Sequence, residues 1–255
     1  MADADMKERD VLLLILDISG YTRFMVSTSS TLVHGQLIIS ELIEALIDRA
    51  QLPLRIVELE GDAILLFAFR DPGEAAWEGF RRGLFAKLQE FVTAFFAKMK
   101  EIMESNLCSC SACKHVASLR IKAIVHSGKA VEFRLRQFLR LSGPDVITVH
   151  RLLKNSIPSH QYFLLTDSAW ELLDEEHRGK FTAGSETYGD IGTIETHVYI
   201  MESPGYTGQP ELTASKSISW SGKAMGRTMR MMVRSMIVRL GLRRMQKFRN
   251  LPNSD

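Results

Sequence analysis

Long-range disulfides cannot hold this chain together. Its three cysteines, Cys108, Cys110 and Cys113, lie within six residues of one another, and a reducing cytosol is the simplest setting for them. Long apolar runs are also scarce. After the charged start MADADMKERD the apolar run Val11 to Leu16 lasts six residues before Asp17 interrupts it, which fits neither a signal peptide nor a membrane span. No internal repeat is present. Excess charge is nearly absent in total, at +2, but the balance is uneven. Residues 206–255 hold ten Lys or Arg against two acidic residues, a net +8, which leaves 22 basic and 28 acidic groups, a net −6, in residues 1–205. An acidic domain followed by a basic tail implies two parts with different work.

What is present, 255 residues with 45 % hydrophobic and 24 % charged, suffices for one sizeable domain and an appendage. The stretch VLLLILDISGYTRFM, Val11 to Met25, organises the reading. Five of the six residues before Asp17 are Leu or Ile, as in a strand buried on both faces. A carboxylate ending such a strand must be paired, hydrogen-bonded or metal-bound to stay ionised. Ser19 and Gly20 then allow a tight turn whose backbone N–H groups can meet an anion. Asp17 therefore reads either as a ligand in a phosphate and metal corner or as the cap of the following turn.

Helical spacing of Leu32, Ile38, Ile39, Leu42, Ile43, Leu46 and Ile47 predicts a helix that stops before Pro53. Leu54 to Phe69 reads as a hairpin with Glu60, Gly61 and Asp62 at its tip. Asp71, Pro72 and Glu74 read as a helix start with Asp71 as cap, and the helical pattern runs to about Met103 with a break near Gly83. LRIKAIVHSG and KAVEFRL read as two strands joined by a turn at Gly128. A helix over 141–154, a strand over 161–166, a short helix capped by Asp167 or Ser168 and a last hairpin over 181–201 follow. Helices are segregated from strand pairs in this order, so the expected class is α+β.

Asp17 and Asp62 take comparable places, one ending a buried strand and one at a hairpin tip. If the strands are neighbours, the two carboxylates suit Mg²⁺ or Mn²⁺ carrying a phosphate. Together with their surroundings they resemble the class III adenylate/guanylate cyclases. The resemblance is carried by LDISGYTRF (16–24), LEGDAILLF (59–67), IVHSGKAV (124–131) and GPDVITVHR (143–151), in matching order over residues 10–201. It implies a ferredoxin-like βαββαβ core and a homodimer with its sites between subunits. It also implies metal ligation by Asp17 and Asp62, a phosphate turn formed by Ile18, Ser19, Gly20, Tyr21, Thr22, Arg23 and Phe24, and a charge-stabilising role for Arg151. The family's asparagine falls at Ile147, its purine-reading lysine at Glu58 and that lysine's companion at Arg140. The phosphate-holding half is kept and the base-reading half is replaced. Losing such a group costs on the order of 100-fold in rate. The expectation is therefore a cyclase-like signalling or regulatory protein that binds a divalent metal with a nucleotide or other phosphate ligand. The alternatives are an active divergent cyclase and a non-enzymatic scaffold.

Cys110 and Cys113 have the C-x-x-C spacing of half a zinc site, which Cys108 and His115 would complete; the other reading is a loop of free or redox-active thiols. His126 and His150 read as packed core histidines. Beyond a cyclase-like domain over 1–203, residues 204–221 read as a linker. Residues 222–255 read as a basic amphipathic helix with a methionine stripe. Such a helix can lie on an anionic membrane surface, bind nucleic acid, dock on an acidic partner or fold back on its own domain. The expected location is the cytoplasm, with membrane association through that helix.

Overall fold

The computed structural model describes residues 6–27, 32–71, 73–104 and 111–201, and beyond them only Met229 and Val233. The linker and tail readings, and Cys108 and Cys110, lie outside the described residues.

The first strand, β1 (Lys7–Ser19), is central. It pairs antiparallel with β3 (Ala63–Phe69) on one side and with β4 (Arg120–Leu135) on the other. Val11 to Leu16 are at most 1 % exposed, as a strand covered on both faces requires. The eight-stranded sheet runs β2 (Arg55–Glu60), β3, β1, β4, β6 (Tyr162–Thr166), β8 (Gly192–Ile200), β7 (Thr182–Tyr188), and β5 (Phe138–Ser142) pairs with β4 beside this path. The β4–β6 pairing is parallel and the others are antiparallel. Helices and strand pairs are segregated, and the class is α+β.

Alternation along the strands divides the core. Leu12, Leu14, Leu16 and Ile18 face the layer built by α2 (Leu32–Ile47), α3 (Ala75–Arg82) and α4 (Leu84–Glu104), where Phe85, Phe91 and Phe95 are buried. Val11, Leu13 and Ile15 face the other side, with Val149 and Leu152 at the end of α6 (Pro144–Arg151). A short α1 (Tyr21–Ser27) follows β1, and α5 (Ser111–His115) leads through a 3-10 turn, Val116–Ser118, into β4. The small helices α7 (Asp167–Trp170) and α8 (Glu175–Arg178) fill the connection after β6. Among the described residues no helix is long and apolar enough to cross a membrane.

Two local expectations are corrected. Gly128 makes no turn: β4 runs through it unbroken, and the chain reverses after Leu135, where Arg136 takes a φ of 56°. Its reason is space. A Cβ at Gly128 would stand 2.2 Å from Asp145 Oδ2. That carboxylate accepts from the Lys129 backbone N–H at 2.6 Å and lies 3.0 Å from His126 Nε2, whose Nδ1 lies 2.9 Å from Thr166 Oγ1. His126 is accordingly a buried, hydrogen-bonded core residue. Asp71 is likewise no cap. Both its oxygens take Arg9 Nη2, at 2.9 and 3.1 Å, and α3 begins at Ala75 without a side-chain cap. The break at Gly83 between α3 and α4 is where the sequence placed it.

Gly128→Ala would push Asp145 off His126 and Lys129, leaving the buried His126 Nε2 without its partner. A loss of about 2–3 kcal/mol is expected, seen in thermal unfolding as a fall of roughly 5–10 °C. An unchanged midpoint would show that Asp145 has room to move.

Candidate functional site

Strand periodicity carries Asp17 onto the α6 side of the sheet, the side that Val11, Leu13 and Ile15 face. Its cross-strand partner is Lys122 on β4. Lys122 Nζ stands 3.2 Å from Asp17 Oδ2, with side chains 15 % and 17 % exposed, and also donates to the Leu153 carbonyl at 3.0 Å, just past α6. Opposite charges directly across a ladder stabilise the pair, and here the lysine gives a largely buried carboxylate its counter-charge. The turn-cap reading of Asp17 gives way to this ion pair.

The second aspartate arrives by register. Asp17 pairs with Ala63, so the β2–β3 tip lies against the end of β1, and Ile18 donates its N–H to the Asp62 carbonyl at 3.2 Å. Gly61, at a φ of 58°, faces the Tyr21 ring, so the hairpin tip also touches the start of α1. Gly20, at a φ of 89°, makes the turn into α1, where Phe24 N–H reaches its carbonyl at 2.9 Å. Along that turn Ile18, Ser19 and Phe24 are buried while Thr22 and Arg23 are exposed. Burial, and then the charge of Asp17, push the Asp62 carboxyl up to about 6, against the pull of its own backbone N–H and of Lys122. Two carboxylates thus share one corner with a single lysine.

That donor set fits Mg²⁺ or Mn²⁺, which typically take one or two carboxylates and complete their shell with phosphate oxygens and water. Among the described residues no group of three or more His, Cys, Asp or Glu is gathered as a closed metal cage. Next to the corner, Tyr162 exchanges hydrogen bonds with Asn155 at 2.7 and 3.0 Å, and burial chiefly raises its hydroxyl to about 12.

Arg151 ends α6 and pairs with Asp190 in the β7–β8 connection, both about half exposed. Ile147, one turn earlier, is 54 % exposed and offers no hydrogen bond. Glu58 and Arg140, the positions with exchanged charges, meet each other: Arg140 Nη1 donates to Glu58 Oε1 at 3.0 Å. Lys122 escaped the sequence reading. Its signal was a lysine with the inward parity of Ile124 inside the run Ile121 to Val125, otherwise apolar, where a charge needs a counter-charge. In the cysteine segment, Cys113 is partly buried and lies against His34 of α2, whose imidazole burial holds below its ordinary value. His115 is exposed, two residues further along α5.

The fold is that of the class III nucleotide cyclase catalytic domain. A crystal structure of the guanylyl cyclase Cya2 superposes with a TM-score of 0.56 at 13 % identity, over 78 % of this chain and 96 % of that one. The adenylyl cyclase CyaB from P. aeruginosa gives 0.53 at 12 %, over 80 % and 100 %. A bacterial light-regulated adenylyl cyclase gives 0.54 at 11 %, over 81 % and 56 %. At these identities the likeness is one of fold. A family model described as "Protein of unknown function (DUF2652)" matches residues 39–162. "Uncharacterized protein Rv2561/Rv2562" of Mycobacterium tuberculosis is 31 % identical over 159 residues, 62 % of this chain and 71 % of that protein, and the chain belongs to its family.

The raised Asp62 carboxyl has a consequence for stability. It binds its proton more tightly in the folded than in the unfolded chain, so its charge costs stability above about pH 6 and nothing below the ordinary value near 4. Asp62→Asn should raise stability at pH 7.5 by about 1 kcal/mol, since solvent screens most of the nominal shift, and the gain should fade as the pH falls from 6 toward 4. Denaturant unfolding at three pH values checks this; a gain independent of pH would refute the raised Asp62 carboxyl.

Proposed function

We propose that this chain binds a divalent cation, Mg²⁺ or Mn²⁺, together with a phosphorylated ligand, a nucleotide foremost, and uses that binding in a signalling or regulatory role. The observation that carries the reading is the convergence of Asp17 and Asp62 at the end of β1, where Asp17 pairs with Ala63 and Ile18 donates its N–H to the Asp62 carbonyl; burial, and then the charge of Asp17, raise the Asp62 carboxyl there. Two clustered carboxylates with one lysine leave negative charge that a divalent ion relieves. Bound there, the ion would neutralise phosphate charge.

This chain's own residues would divide the work. Asp17 and Asp62 offer carboxylate oxygens, and the turn from Ile18 to Phe24 lies beside them to seat phosphate. Lys122 holds Asp17 in place and sets an ammonium at the same corner. Arg151, at the end of α6, would serve the charge of a ligand in a second subunit's site, as the cyclase resemblance implies for a homodimer. The Glu58–Arg140 pair and the apolar Ile147 supply neither the lysine nor the asparagine that orients a purine nucleotide in the adenylyl cyclases. Binding without efficient purine cyclisation is therefore the leading reading. The fold supports active cyclisation as the second.

Thermal unfolding of the full chain with ATP or GTP and Mn²⁺ tests the reading. At 100 times the dissociation constant a ligand adds about 2.7 kcal/mol, several degrees in a domain of this size. The shift should be present in the wild type and lost in Asp17→Ala and Asp62→Ala. No shift with any nucleoside triphosphate and Mn²⁺ would refute the site. A cyclic nucleotide product that disappears in Asp62→Ala would replace the leading reading with the second.

A further inference from the structure

The corner at the end of β1 holds a cation of its own. Lys122 Nζ, on a side chain 15 % exposed, stands 3.2 Å from Asp17 Oδ2, and register sets the two residues directly opposite one another on β4 and β1. A lysine held only by its stem can swing aside for an arriving ion. This one is tied at its tip as well, because Nζ donates to the Leu153 carbonyl at 3.0 Å. The carbonyls on either side of Leu153 are held in turn, that of Leu152 by Asn155 Nδ2 at 2.7 Å and that of Lys154 by the Tyr188 hydroxyl at 3.0 Å. The segment after α6 thus anchors the ammonium where it lies. Its charge also reaches the second carboxylate, since the charges that act on Asp62 are those of Asp17 and Lys122.

The balance of these three groups decides what the corner can take. Two ionised carboxylates without the lysine would carry two negative charges, which a bare divalent cation cancels. With Lys122 fixed beside them one net negative charge is left, so a bare divalent cation leaves an excess positive charge among side chains that water screens only in part. An anion that arrives with the ion removes the excess, and a phosphate group does so while completing the ion's oxygen shell. We propose that Lys122 is the specificity-determining residue of this corner: it disfavours a free divalent cation and favours one that arrives with phosphate.

The proposal rests on the reading that Asp17 and Asp62 hold a divalent cation, and it names the form in which the ion is taken up. Ion and phosphate then depend on one another, because coupling between two ligands is reciprocal. A corner built in this way is not filled by ambient cation alone and responds to the phosphorylated ligand, as a signalling or regulatory role requires. In the empty corner the same ammonium spares Asp17 from being an unpaired, largely buried charge.

Mn²⁺ binding to the full chain at pH 7.5 tests it. The ion alone is followed by the electron paramagnetic resonance signal of free Mn²⁺, and the preformed complex of Mn²⁺ with tripolyphosphate, a probe with phosphate and no base, by calorimetric titration. The wild type should bind the complex roughly tenfold or more tightly than the free ion. Lys122→Met keeps the stem and removes the charge, so it should bind free Mn²⁺ roughly tenfold or more tightly than wild type and lose the preference for the complex. That gain should vanish in the double variant Asp17→Asn/Lys122→Met. Removing one partner of a buried ion pair destabilises a fold; if Lys122→Met unfolds for this reason, Mn²⁺ alone should restore its thermal transition, a rescue that general damage does not give. A wild type that binds the free ion as tightly as the complex would overturn the proposal, as would a Lys122→Met chain that shows neither the gain nor the rescue, and in both cases the metal reading would stand. A wild type that binds neither probe would sink the metal reading itself and the proposal with it.

Discussion

The constraint on which the structure depends is the period of two along a strand paired on both sides. β1 is hydrogen-bonded to β3 and β4 and covered by a layer on each face, so its register cannot slip by one residue without turning every apolar side chain to the wrong side. Asp17 inherits its direction from Val11, Leu13 and Ile15. The same pairing fixes where β3 begins, and hence where Asp62 stands, and it sets Lys122 directly across from Asp17. Three charged residues reach one corner because the apolar core leaves their strands one register. The corner is costly to build, and packing carries the cost: clustered carboxylates are tolerated there because Val11, Leu13 and Ile15, on the same face of β1 as Asp17, are wholly or almost wholly buried.

The Asp17–Asp62 corner and the Glu58–Arg140 pair differ in physical character. At the corner Asp17 and Lys122 are 17 % and 15 % exposed and are set opposite one another by backbone register. The Glu58–Arg140 pair is more than a third exposed on both sides, and ion pairs of that kind are worth about 0–1 kcal/mol. A ligand could open it cheaply. It is therefore no rigid lock between β2 and β5, and Ile147, 54 % exposed, has no side-chain group that can hydrogen-bond.

Much of this was legible in the sequence because it was written in periodicity. The order of strands and helices, the hairpin tip at Gly61 and Asp62 and the break at Gly83 all follow from apolar spacing and local punctuation. Gly128 was misread because glycine has two uses, and only one of them is local. A turn glycine is recognised from its neighbours; a glycine kept for space is recognised only when its occupant is known, and Asp145 lies 17 residues further along. Asp71 failed for a related reason, since Arg9, 62 residues away, outcompeted the helix end for its carboxylate. His34 gave no signal at all. In α2 it looks like any polar residue on a helix face, and only the docking of α5 brings it to Cys113.

The helix α6 ties the site to the rest of the molecule at both ends. Near its start, Asp145 is locked over Gly128 to His126, which reaches Thr166 on β6; Thr166 Oγ1 in turn lies 3.1 Å from Ser168, whose hydroxyl donates to the Ser127 carbonyl. Buried networks of this kind are stable only when every member is satisfied, and they hold a helix in one place. Beyond its end, the Leu153 carbonyl is held by Lys122, and Glu186 accepts from the Ser156 N–H and hydroxyl. Lys122 therefore serves two masters, the carboxylate of Asp17 and the exit of the helix that carries Ile147 and Arg151. Any cation or phosphate that competes for either bond of this lysine acts on the other, so the charge state of the corner and the seating of α6 are joined through one ammonium group.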